Sequence, residues 1–304
     1  MNDAEPCWLC SSRLGADVVC AGYRRCRGCG HRSAAGAAQD GAVDNGVLTL
    51  EHARASDALT RAQVHATLDA AVRRRFLLDI GSGTGKFVHH IRRYFEDAVG
   101  LEVSDRSVRF AREVLRVPIV TAIDEVAGPV DVVTAWHSLE HVASGQLLKM
   151  MAFLRAHAHA ESRIIVCVPN PDGPAAVLFG RRWAFRDEES HRHEFSRQSL
   201  DELFRRYGFR RLRERKLWVY SCFAWVQSIC NVAPGPHNYA YHRLKRGRSF
   251  HENRLQEAAA DAAAAVVLAV AVPVGVVCAA VEHLASRQTS VHVVIYASEA
   301  RPGT

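Results

Sequence analysis

The chain has 304 residues, 48% of them hydrophobic and 23% charged, with a formal net charge of +7. These values exclude a disordered or fibrous chain and leave room for one large domain, or one with a small module beside it. The positive charge permits nucleic acid, anionic lipid or phosphorylated partners but selects none of them, since much of it is arginine on apparent helix faces such as Arg73–Arg75 and Arg205–Arg206.

At the start, Cys7-x2-Cys10 is followed by Cys26-x2-Cys29, with fifteen residues between the two units. Each unit turns two thiolates toward one point, and four thiolates make a closed tetrahedral site for Zn²⁺. The spacing predicts a structural zinc ribbon over residues 1–33, with redox cysteines as the alternative. His31 competes as a ligand, although four cysteines suffice. The other five of the nine cysteines are scattered, among them Cys20. The opening Met-Asn-Asp-Ala-Glu-Pro lacks a basic and an apolar leader region, so a cytoplasmic, reducing setting is expected. Residues 34–50, rich in Ala, Gly, Asp and Asn, read as a linker.

Helical spacing over 51–75 leads into an alternation. Strands are expected at Phe76–Ile80, Ala98–Glu102, Ile119–Thr121, Val130–Trp136 and Ile164–Pro169. Amphipathic helices are expected at 84–95, 105–115, 144–160 and 196–207. Such alternation predicts an α/β, doubly wound, mostly parallel sheet with helices on both faces. The first strand ends in Asp79 and runs into Gly81-x-Gly83-x-Gly85, after which a helix begins. A strand, a glycine turn and a helix start form the usual seat of a nucleotide-like ligand. The dinucleotide fingerprint needs a glycine at position 86, which is Lys86, so NAD is disfavoured. With Asp79 two residues before the first glycine, the segment resembles the S-adenosylmethionine (SAM) motif of class I methyltransferases. Glu102 lies seventeen residues past Gly85 at the tip of the next strand, where a carboxylate can accept from both ribose hydroxyls of a nucleoside. The resemblance implies that Asp79 faces the positively charged methionine portion of SAM.

The run Asp131 to Val142, with its Leu139-Glu140-His141-Val142, is similar to the fourth-strand signature of the group that includes ubiquinone-type O-methyltransferases. The likeness continues through Val168–Pro171, Leu178–Trp183, His193–Ser196 and Tyr207-Gly208-Phe209, covering about residues 75–210. It implies a Rossmann-like sheet with a final antiparallel strand, and a sugar, glycan or secondary-metabolite acceptor. Where members usually carry a Pro-Arg-His-like run, this chain has Glu189–His193. Enzymes that methylate base amines usually show an Asp/Asn-Pro-Pro-aromatic run after the fourth strand. Ala135–Ser138 stands there instead, which disfavours a nucleic-acid substrate.

Methyl transfer from a sulfonium is an in-line displacement, so the enzyme must align the acceptor with the departing sulfur. A hydroxyl acceptor must also lose a proton, and histidine is the natural base near pH 7. His137, His141, His191 and His193 are the candidates, His193 and His137 foremost, with Trp136 as a wall of the cofactor pocket.

A strand is expected over Arg211–Tyr220, and a last strand over Ser290–Ser298. The methyltransferase unit is thus expected over 51–220 and 289–304, interrupted by an insertion at 221–288. The insertion holds a basic stretch, Arg243–Arg248, and a twenty-residue apolar helical segment, 262–281, that carries no charge. That is long enough to span a bilayer. A single crossing would strand the last strand on the far side, so a buried or dimer-packing helix, or a membrane-surface hairpin broken at Pro273–Gly275, is expected instead. Three functions remain open: SAM-dependent methylation of a small-molecule or glycan hydroxyl; an RNA methyltransferase using the ribbon and positive charge; and a non-catalytic scaffold peripheral to the inner membrane face.

Overall fold

The structure, a computed structural model, describes residues 6–12, 14–19, 22–35, 57–246, 250 and 253–299. Most of the expected linker (36–50), Cys20 and residues 247–248 of the basic stretch lie outside the described residues.

The first three strands are β1 (Leu14–Val19), β2 (Tyr23–Cys26) and β3 (Arg32–Ala34). Helix α1 (Ala58–Ala70) is capped by Asp57, whose side chain accepts from the Thr60 amide. The Rossmann-like unit then alternates: β4 (Phe76–Ile80), α2 (Lys86–Ile91), β5 (Asp97–Leu101), α3 (Asp105–Arg109, running on as a π turn to Leu115) and β6 (Ile119–Val120). It continues with β7 (Val130–Trp136), α4 (Ser144–His157), β8 (Ala158–Pro169) and α5 (Pro174–Phe179). The last elements are β9 (His193–Glu194), α6 (Arg197–Arg206), β10 (Phe209–Arg215), α7 (Trp218–Cys230), α8 (Tyr239–Arg246), α9 (Arg254–Ala285) and β11 (Val291–Ser298).

Seven strands form one sheet in the order β10-β11-β8-β7-β4-β5-β6. The pairs among β8, β7, β4, β5 and β6 are parallel, and β11 is antiparallel to both β8 and β10. The β7 pattern explains its central place. All seven of its residues are buried, as a strand covered on both faces requires. Apolar clusters cover the two faces, one with Leu78, Val133, Ile164 and Phe204, the other with Leu77, Val132, Ile165 and Ile91.

Two expectations need correction. The strand expected over Arg211–Tyr220 ends at Arg215, and Trp218–Tyr220 belongs to α7. The buried residues Tyr220, Ser221, Ala224, Trp225 and Ser228 recur at helical spacing, which overrides the β propensity of the aromatics. The break at Pro273, which only the hairpin alternative required, is absent, and α9 is continuous through it. Its buried residues Ala271, Gly275, Ala279 and Glu282 form a narrow stripe against α7, and a Cβ on Gly275 would stand 2.8 Å from the Val226 backbone nitrogen. This close backbone packing holds the helix across the missing proline amide. Much of the remaining surface of α9 is open, although Glu257 is also buried: Val266, Val270, Val277 and Leu284 are all exposed. By length and composition α9 could cross a membrane.

The ribbon is not a free-standing module. Its sheet has the order β1-β2-β3-β9, so a strand from the Rossmann-like unit completes it, pairing Arg32 with Glu194 and Ser33 with His193. A three-stranded ribbon leaves an open edge, and β9 covers it.

Candidate active site and cysteine cluster

The glycine turn sits where parallel strands β4 and β5 end. The amides of Gly81 and Ser82 donate to the Leu101 carbonyl at 2.8 and 3.0 Å, tying the turn to the neighbouring strand. Gly81 has φ +72°, and a Cβ there would lie 2.3 Å from that of Ser138. Only glycine satisfies both demands. Ser138 in turn donates to the Ile80 carbonyl at 2.8 Å, which fixes the end of β7 beside the turn. Gly83 and Gly85 also have positive φ. Lys86, at the position that disfavoured NAD, pairs with Asp57 at 2.8 Å and so pins the start of α1 beside the turn.

Glu102 follows β5 and faces the turn. One carboxylate oxygen accepts from the Gly83 amide at 2.7 Å, and the other from the Val103 and Ser104 amides at 2.9 and 2.8 Å. Asp79 is buried and accepts from Thr134 Oγ1 at 2.6 Å. Burial lifts its carboxyl to about 7; the Thr134 hydroxyl opposes that rise and nearby Glu102 adds to it. The pair presents negative charge to a cationic ligand. Trp136 ends β7 and packs edge-on against Phe87 at the start of α2. Asp79, Gly81, Gly83, Gly85, Glu102 and Trp136 therefore converge at the carboxyl ends of β4, β5 and β7, the ligand-binding edge of such sheets.

A pH dependence follows. A cationic ligand beside Asp79 favours the carboxylate, while the free protein holds the proton below pH about 7. Affinity for S-adenosylhomocysteine, which keeps the methionine ammonium, should rise with pH up to about 7 and level off above it, by at most about tenfold per pH unit. Calorimetry from roughly pH 5.5 to 8.5 checks this. Asp79→Asn should flatten the profile.

The histidines divide into two groups. His137 follows β7 with φ +53°, its ring between Phe185 and Tyr220. Its Nδ1 lies 3.3 Å from Glu140 Oε1 and its Nε2 lies 3.4 Å from Cys167 Sγ. Burial opposes the imidazolium; the Cys167 sulfur and the Glu140 carboxylate outweigh it and raise His137 to about 10. Glu140 and His141 lie in a 3₁₀ turn, Leu139–His141. His191 packs edge-on against His141, ring centroids 4.6 Å apart.

His193, one of the two foremost candidates for the base, stands elsewhere, in the ribbon seam. It is 3% exposed, and its Nδ1 is 3.2 Å from His31 Nε2. Trp8 Nε1 donates to that same His31 nitrogen at 3.1 Å. An indole nitrogen can only donate, so His31 Nε2 is the acceptor and His193 Nδ1 carries the proton. Burial holds His193 down to about 4. Thus His31 reaches toward His193 and not into the cysteine cluster.

The seam is polar and buried. Arg32 contacts Asp172 at 2.6 Å and Glu194 at 3.3 Å, and Arg186 also pairs with Glu194. Tyr23 donates to the His191 carbonyl at 3.0 Å. Apart from Arg186 with Glu194, these contacts were not signalled locally in the sequence, because Tyr23, His31 and Arg32 meet partners far along the chain.

Cys7, Cys10, Cys26 and Cys29 bring their sulfurs within 4.8 Å of one another. The two knuckles repeat one backbone pattern: Ser11 and Gly30 amides donate to the Cys7 and Cys26 carbonyls, and the Cys7 and Cys26 amides donate to the Ser12 and His31 carbonyls. Four converging sulfurs suit a tetrahedral thiolate-bound ion.

The family described as "Methyltransferase domain" matches residues 50–214, and the chain belongs to it. The chain is accordingly a SAM-dependent methyltransferase, with the matched segment holding the glycine turn, Glu102 and the fourth-strand signature. No curated protein matches the chain. Among solved structures it is similar to the cyclopropane synthase MmaA2 from Mycobacterium tuberculosis, at 14% identity and a TM-score of 0.48, covering 78% of this chain and 82% of that one. It is similar also to a SAM-dependent methyltransferase from Archaeoglobus fulgidus, at 14% identity and a TM-score of 0.47, covering 82% and 97%. A third is a SAM-dependent methyltransferase from Clostridium acetobutylicum, at 11% identity and a TM-score of 0.41, covering 56% and 85%.

Proposed function

We propose that this methyltransferase moves the methyl group of SAM onto a hydroxyl of a sugar, glycan or related metabolite, and that its four cysteines hold a structural Zn²⁺. The observation that carries the first part is the joint placement of Asp79, the glycine turn and Glu102 on one sheet edge, with a histidine-rich turn directly after β7. Asp79 would oppose the methionine portion of SAM and Glu102 the ribose hydroxyls. The Glu102 carboxylate, now held by three amides, is already aimed at the turn.

A hydroxyl acceptor is favoured because His137 and His141 directly follow β7 at the sheet edge that carries Asp79, and an oxygen nucleophile needs deprotonation. His137, raised to about 10, carries a proton at neutral pH. It serves as a positive partner of Glu140, and the proton acceptor is sought among Glu140, His141 and His191. For zinc, the support is the sulfur geometry and the closed donor set, which leaves no position for substrate.

Calorimetric titration of the zinc-loaded protein with SAM and S-adenosylhomocysteine, beside Glu102→Ala, tests the cofactor assignment. Saturable binding weakened about tenfold or more is expected, since two ribose hydrogen bonds to a charged group are lost. A screen of sugar and glycan acceptors with SAM then tests the substrate class. Binding of SAM with no hydroxylated acceptor turned over, and turnover of RNA instead, would overturn it.

A further inference from the structure

We propose that Glu140, His141 and His191 form a binding site for a divalent transition-metal ion, separate from the cysteine cluster. Their ligand atoms lie within 4.8 Å of one another. Glu140 is 1% exposed, and neither of its carboxylate oxygens accepts a hydrogen bond. The 3.3 Å approach of His137 Nδ1 to Oε1 is a charge contact without hydrogen-bond geometry. His137 gives this carboxylate a charged neighbour, but its two oxygens still lack a hydrogen bond, and buried groups of this kind are as a rule hydrogen-bonded or coordinated to an ion. Here the unsatisfied oxygens face two imidazoles.

The surroundings are built as a ligand frame. His141 Nδ1 lies 3.2 Å from the Ser190 carbonyl, which can only accept, so Nδ1 carries the proton and Nε2 keeps a free lone pair. A second hydrogen bond of this kind orients a metal-ligating histidine. The loop that supplies His191 is fixed from several sides. Asp187 accepts from the Ser190 hydroxyl at 2.6 Å and the Ser190 amide at 3.1 Å. The Arg192 amide donates to the Glu140 carbonyl at 2.8 Å, and Tyr23 of the ribbon holds the His191 carbonyl. Two histidines and one carboxylate are a borderline donor set, suited to Mn²⁺, Fe²⁺, Co²⁺ or Zn²⁺.

Three protein ligands leave coordination positions open, and the turn follows β7 at the ligand-binding edge of the sheet. An ion there would bind the acceptor oxygen and lower the pKa of its hydroxyl, so that the proton would pass to solvent water as the O–CH₃ bond forms and the S–CH₃ bond breaks, without a free histidine base. This second statement rests on the hydroxyl-methylation reading; the ion site itself does not.

The test uses the full chain with its cysteine site loaded with zinc, checked by elemental analysis. Mn²⁺ is titrated in, and the free ion is followed by the loss of its six-line electron paramagnetic resonance signal. One Mn²⁺ per chain is expected, displaced by Co²⁺. Glu140→Gln and His141→Gln should each weaken binding at least about tenfold. Because Glu140 is buried, folding of both variants is checked by circular dichroism and retained zinc; His141 is half-buried, so its variant keeps the test decisive should the other fail to fold. Absence of a second ion with both Mn²⁺ and Co²⁺, or undiminished binding in a folded variant, overturns the site. S-Adenosylhomocysteine binding is measured on the same samples. Its presence without Mn²⁺ binding sinks the ion site and leaves methyl transfer standing; Mn²⁺ binding without it supports the ion site and sinks the methyl-transfer reading.

Discussion

With the proposed Zn²⁺ held by Cys7, Cys10, Cys26 and Cys29, stripping that ion is expected to cost the enzyme its methyl-transfer activity as well as its ribbon. The ribbon shares a core cluster with Phe195 and Leu200, but three short strands bury little apolar surface of their own and lean on the ion for their fold. Its loss removes β3 from β9, and with it the Arg32 guanidinium from Glu194 and the Tyr23 hydroxyl from the His191 carbonyl. Glu194 is 4% exposed, and burial pushes its carboxyl up even with Arg186 and Arg32 beside it. Breaking one arm of such a buried charge group costs about 3–5 kcal/mol. That corresponds to a fall in melting temperature of roughly 10 °C for a unit of this size. The loop bearing His191 loses its outer support in the same event, so turnover should fall further than cofactor affinity, whose residues are tied to β4, β5 and β7. Melting curves and turnover of chelator-treated protein and of Cys29→Ser check this. A metal-free sample that melts and turns over like the native one would refute it.

Glu282→Ala should destabilise the fold by about 3–5 kcal/mol, as expected for exposing several buried donors at once. Glu282 is 3% exposed, yet it is fully occupied. It accepts from Ser221 Oγ at 2.7 Å, Trp225 Nε1 at 2.8 Å and the Ser290 amide at 2.8 Å. One carboxylate therefore joins the end of α9 to α7 and to the approach to β11. Glu282→Gln keeps an acceptor oxygen and the volume, so its loss should be smaller. Urea denaturation of both variants measures the difference, and a Glu282→Ala midpoint indistinguishable from wild type would contradict the assignment.

Local signals were legible where local chemistry decides the structure. The turn at Gly81–Gly85 needs positive φ whatever lies elsewhere, and β4, β7 and β11 are apolar runs whose pattern fits a covered strand. The cysteine spacing likewise brought four sulfurs to one point. Long-range pairing was not legible. Nothing about His193-Glu194 announces a strand of two residues, because β9 exists only against β3, some 160 positions earlier. His193 looked like a free base for the same reason: its partner His31 is invisible at short range. The 137–141 stretch did carry a signal, a histidine and a Glu-His pair on one turn, but fifty residues separate it from His191. The end of β10 was misjudged because Trp218 and Tyr220 favour strands, whereas packing against α9 and α1 selects a helix.

The sheet order also sets a timetable for the ribosome. Among the described residues strand β10 has one neighbour in the sheet, β11, and β11 is translated about seventy-five residues later. Until β11 emerges, β8 presents a bare edge and β10 has nowhere to dock, while the apolar length of α9 is already outside the exit tunnel. The nascent chain thus passes through an interval in which an open strand edge and a greasy helix are displayed together. Chaperone demand should be concentrated in that interval and end when the last strand slides between its two waiting partners.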